Sequence, residues 1–108
     1  MRILDKLVAA ALILAPATAS AVQLGDAKEG HAFAATACSE CHEVEAGESF
    51  SPNPDAPSFQ EVADTPGMTA QALTVWLQTS HPTMPNFILK PDDMDNVIAY
   101  ITSLPTPR

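Results

Sequence analysis

The hydrophobic and polar positions of this 108-residue chain resolve into one uninterrupted apolar run and four short stretches of helical character. The apolar run, Leu7 to Ala15, follows basic Arg2 and Lys6 and precedes the small residues Ala17-Thr18-Ala19-Ser20-Ala21. That order is the order of a secretory leader, and the run is about half of the ~20 residues that a membrane span requires. Residues 1–21 are therefore expected to be a cleaved signal peptide, cut after Ala21 or after Ala19, with a retained anchor as the alternative. Asp5 is an unusual acid in such a leader.

Residues 22–108 then form one domain. A first helix is expected from about Asp26 to Ala37, with Asp26 and Glu29 near its positive end and Gly30 where another helix can approach closely. After His42 the chain turns polar and irregular, and Pro52, Pro54 and Pro57 exclude both helix and central strand. A short helix is expected over Ser58 to Ala63, stopped by Thr65-Pro66-Gly67. Thr69 is a good N-cap for a third helix over Ala70 to Thr79, where Ala72, Leu73, Trp76 and Leu77 recur at helical spacing. The last helix starts near Pro91, carries Met94, Val97, Ile98, Ile101 and Leu104 on its inner stripe, and ends before Pro105. No β-rich segment or repeat interrupts this pattern, so the fold class is all-α.

Composition narrows the partners. Removing a leader that carries Arg2, Lys6 and Asp5 leaves three cations against twelve acids, a net charge of −9. Nucleic acid is thereby excluded as a natural partner, because phosphate binding needs clustered Lys and Arg. Such a charge either steers the protein toward basic docking patches or simply keeps it soluble. A domain of 87 residues also makes only a modest core by itself, and domains of that size usually need a staple or a cofactor to fill them.

The residues that name the cofactor are Cys38-Ser39-Glu40-Cys41-His42. Two cysteines one helical turn apart can both reach the vinyl groups on one side of a porphyrin, and the imidazole that follows is a good axial ligand for its iron. This is the c-type haem attachment pattern. A thioredoxin-like redox pair would need a βαβ context, and structural zinc would need four ligands, whereas only His31 and His81 remain, neither at finger spacing. A disulfide across two residues would be strained and reducible.

An iron with one imidazole has a second face, and its occupant separates electron transfer from bond chemistry. Thr83-Met84-Pro85 lies about forty residues after His42 in a loop stiffened by Pro82 and Pro85, and a thioether there would raise the reduction potential. Of the other methionines in the domain, Met68 follows a turn and Met94 falls on a core stripe. His81 competes with Met84 for the iron and would lower the potential, while His31 is read as an exposed residue of the first helix. Metal ligation is thus assigned to His42 and Met84, with His81 as the rival.

Together these features resemble a small bacterial class I cytochrome c. The likeness is carried by Gly30, Cys38-Ser-Glu-Cys41-His42, Ala56-Pro57-Ser58-Phe59, Trp76, His81-Pro-Thr-Met84-Pro85 and Ile98-Ala-Tyr100-Ile101-Thr-Ser-Leu104. It implies about four short helices around one haem c, bound covalently through Cys38 and Cys41. It further implies that Gly30 and Tyr100 mark the crossing of the first and last helices, that the Pro57 carbonyl orients His42, and that Trp76 lies near a haem propionate. The implied role is an exported, periplasmic, monomeric one-electron carrier between a donor and an acceptor protein, with no catalytic residues and no membrane span after cleavage. The alternative is a catalytic or gas-binding haem domain whose sixth position is open or labile.

Overall fold

The computed structural model describes residues 10–17, 24–80, 83–85 and 88–107. Four helices are present, α1 (Ala27–Ala37), α2 (Phe59–Asp64), α3 (Ala70–Gln78) and α4 (Pro91–Ser103), and no strand occurs among the described residues. Within the expected leader, residues 10–17 are exposed and without regular secondary structure, and the rest of that segment lies outside the described residues. Among the described residues, no helix is long and apolar enough to cross a membrane.

Local chemistry sets the helix ends. The Asp26 carboxylate accepts the Glu29 N–H at 3.0 Å, and Thr69 Oγ1 accepts the Ala72 N–H at 3.1 Å, so both side chains satisfy amides that a helix start leaves without partners. Ser58 proves to be a cap rather than the first helical residue. Its hydroxyl accepts the Glu61 N–H at 3.0 Å while the Glu61 carboxylate accepts the Ser58 N–H at 2.8 Å, a reciprocal capping box. Lys90 offers no side-chain cap to α4, and Pro91 at the first position instead presets the backbone angle there.

The frame is the crossing of α1 on α4. Ala34, Val97, Ile98, Tyr100, Ile101 and Leu104 form its buried centre, joined by Val44, Phe59 and Leu73 from the other segments. Gly30 permits the approach, since a Cβ there would stand 1.9 Å from the Asn96 carbonyl oxygen and 3.0 Å from Tyr100 Cβ. Asn96 also accepts the Asp26 N–H on its side-chain oxygen at 2.7 Å, which ties the start of α1 to the middle of α4. The expected meeting of Gly30 with Tyr100 is therefore present.

His31 keeps a side chain that is 41% exposed, yet its ring lies 4.9 Å from that of Tyr100 and its Nε2 2.8 Å from Glu45 Oε1. The Tyr100 hydroxyl in turn donates to the Val44 carbonyl at 2.5 Å. These contacts fasten the segment after His42 to the crossing.

Candidate functional site

The cysteine motif begins where α1 ends. Cys38 is its C-cap and donates to the Ala34 carbonyl at 2.9 Å, after which the Cys41 and His42 amides both donate to the Cys38 carbonyl, at 3.2 and 3.0 Å. This extra turn keeps Cys38, Cys41 and His42 together on one wall of a cavity. Cys38 and Cys41 are not joined to each other, and burial pushes the Cys38 thiol up to about 11.

The irregular segment that follows is held in place by its backbone. Asn53 N–H donates to the Cys41 carbonyl at 3.1 Å, Glu43 N–H to Ser51 Oγ at 3.0 Å, and Phe59 N–H to the Glu43 carbonyl at 2.8 Å. The result brings the Pro57 carbonyl to His42, whose Nδ1 lies 2.6 Å from it. A carbonyl oxygen can only accept, so Nδ1 carries the proton and Nε2 is left with the lone pair that binds metal. Phe59 packs against the same imidazole with ring centroids 5.7 Å apart.

The cavity has a volume of about 1040 Å³. Close-packed interiors leave few voids larger than a water molecule, so a space of this size in a small helical domain is a binding site rather than a packing fault. Val62, Leu73, Leu77, Leu89, Val97 and Ile101 give it apolar walls. All six residues assigned to the cofactor from the sequence line it: Cys38, Cys41, His42, Pro57, Trp76 and Met84. Trp76 is 51% exposed, so it stands at the cavity's edge instead of within the core.

Met68 and Met94 line the cavity as well, and both also pack on the hydrophobic core. Met84 comes from a loop, half-buried between exposed Thr83 and Pro85. His81 and Pro82 lie outside the described residues. Two features escaped sequence reasoning. The capping box was signalled by Ser58-Phe-Gln-Glu61, and the positive φ of Thr83, 68°, had no sequence signal, because threonine does not favour it.

The donor set fits a c-type haem. Two adjacent thiols, an imidazole with Nε2 available and a thioether share one apolar chamber, which is the chemistry of covalent attachment and of nitrogen and sulfur ligation.

The cytochrome c family model matches residues 27–105. A cytochrome c-552 of Bradyrhizobium diazoefficiens is 37% identical over 94 residues, spanning 86% of this chain and 89% of that protein. No solved structure matches the chain.

Proposed function

The chain belongs to the cytochrome c family, and from that premise we propose that it is an exported one-electron carrier with one haem c, attached at Cys38 and Cys41 and ligated by His42 and Met84. The observation that carries this reading is the convergence of those four side chains, with Pro57 behind His42, on a single apolar cavity. When bound, the haem supplies a reversible one-electron couple at its iron.

The protein's own residues serve that couple in distinct ways. Cys38 and Cys41 fix the ring to the end of α1 and so hold it to the α1–α4 frame. His42 is locked in one tautomer by Pro57, which makes its Nε2 a more basic and better oriented ligand. Met84 offers a soft neutral sulfur, which favours the reduced state. Leu73, Leu77 and Val97 exclude water and lower the local dielectric.

Trp76 at the cavity edge is assigned to the propionate side. Glu40, Asp55 and Glu61 on the cavity wall give the site an acidic border, which supports donor and acceptor partners with basic patches. The leader-like residues 1–21 support a periplasmic location after cleavage.

A gas-binding or catalytic haem domain would need an open sixth position and polar distal groups. The described cavity lining has no histidine besides His42 and no arginine, and it includes Met84. The two readings separate by spectroscopy of the holoprotein. A carrier shows low-spin spectra in both oxidation states, a long-wavelength sulfur-to-iron band when ferric, and poor carbon monoxide binding when ferrous. Rapid carbon monoxide binding by the native ferrous protein overturns the carrier assignment.

A further inference from the structure

Thr83 is the sole residue other than glycine with a positive φ among those described, at 68°. The other three such positions are Gly25, Gly47 and Gly67, where no Cβ resists the conformation. For a β-branched residue the left-handed region is a genuine outlier, and such outliers persist where the surrounding structure enforces them.

The enforcement is legible in the neighbouring residues. Pro85 has its own φ fixed by its ring and disfavours the helical region for Met84, which narrows how the turn at Thr83 and the bend at Met84 can be made. The positive φ within this turn falls on Thr83. It leaves Thr83 and Pro85 exposed while Met84 is half-buried, and both Thr83 and Met84 line the cavity.

We propose that the left-handed backbone of Thr83 strains the loop that presents Met84, and thereby sets how readily a small outside ligand displaces the sulfur from ferric iron. This rests on Met84 being the axial ligand. Thr83 is then a positioning residue whose strain is kept while the sulfur is bound and released when the loop withdraws. A competing ligand gains that release, and removing the strain strengthens the native bond.

The test is imidazole titration of the ferric holoprotein, followed by loss of the sulfur-to-iron band, in the parent and in Thr83→Gly, Thr83→Asn and Thr83→Val. Glycine and asparagine accept the left-handed region, whereas valine keeps the β-branch and replaces the hydroxyl by a methyl group. Allowing for the extra freedom that glycine gives the released loop, the imidazole Kd rises about two- to tenfold in Thr83→Gly. Thr83→Asn moves in the same direction, and Thr83→Val stays at the parent value.

An unmoved Kd in both Thr83→Gly and Thr83→Asn overturns the proposal, and so does a Thr83→Val shift as large as glycine's, which would assign the effect to the hydroxyl. A parent that lacks the sulfur-to-iron band overturns the Met84 ligation and this inference together. A parent that has the band but shows no response to the Thr83 variants overturns the strain alone.

Discussion

The imidazole of His42 donates from Nδ1 to the carbonyl oxygen of Pro57 at 2.6 Å, across fifteen positions of chain. The acceptor is a backbone atom, so no side-chain substitution removes it. What Pro57 contributes is the stiffness of the segment that delivers it. Pro57→Ala is expected to keep the haem attached and to lower stability by about 0.5–1 kcal/mol, through added freedom of the unfolded chain. Denaturant unfolding of the holoprotein checks this, and a loss several times larger would mean that the ring has a further structural role.

Gly30→Ala should be far more damaging, because the new methyl would stand 1.9 Å from the Asn96 carbonyl and α1 would have to move off α4. A loss of about 3 kcal/mol is expected. Gly47→Ala provides the contrast, since a Cβ there meets nothing within 4 Å and only the φ of 77° resists it. Its cost should be about 1–2 kcal/mol. Unfolding midpoints that place the two substitutions in the reverse order would refute the close-packed crossing.

Tyr100 makes stability fall at alkaline pH. Its phenol lies above the ordinary value because of burial first, and then the negative charges of Glu45 and Glu43. The unfolded chain gives up the phenolic proton at about pH 10, whereas the folded protein still holds it. The group's contribution is therefore intact below about pH 10 and is lost as pH rises toward the higher folded value. Tyr100→Phe gives up the bond to the Val44 carbonyl, a loss of about 1 kcal/mol at neutral pH, and should show a shallower alkaline decline. Urea midpoints at about pH 8 and about pH 11 measure both effects. The chain has one tyrosine, so parallel declines in parent and variant would rule out the phenol as the source.

Met84→Ala should leave the haem covalently bound, because the thioethers do not depend on it. The reduction potential should drop, the sulfur-to-iron band should vanish, and the ferrous protein should gain rapid carbon monoxide binding. If replacing Met68 or His81 produces those changes while Met84→Ala does not, the axial assignment moves to that residue.

Much of this was legible in the sequence because the signals are local. Asp26, Thr69, Pro91 and Pro105 punctuate helices whose observed ends lie within about a residue of expectation. Cys38, Cys41 and His42 announce their chemistry by spacing alone. What stayed hidden depends on distant partners. Nothing in the helix of His31 reveals that Glu45 and Tyr100 converge on it. The close approach of Gly25 to the Asp95 carbonyl, 2.3 Å from a hypothetical Cβ, is likewise a property of two segments far apart in the chain. Thr83 marks a different limit, since its backbone angle opposes its own preference and only its surroundings impose it.

The most direct test of the central claim is the intact mass of the protein, produced in cells that possess haem ligation machinery and measured under denaturing conditions. The predicted result is one haem covalently retained per chain in the parent and none when Cys38 and Cys41 are both replaced by alanine. A parent chain of bare polypeptide mass would contradict the claim that this cavity is the seat of a covalently bound haem.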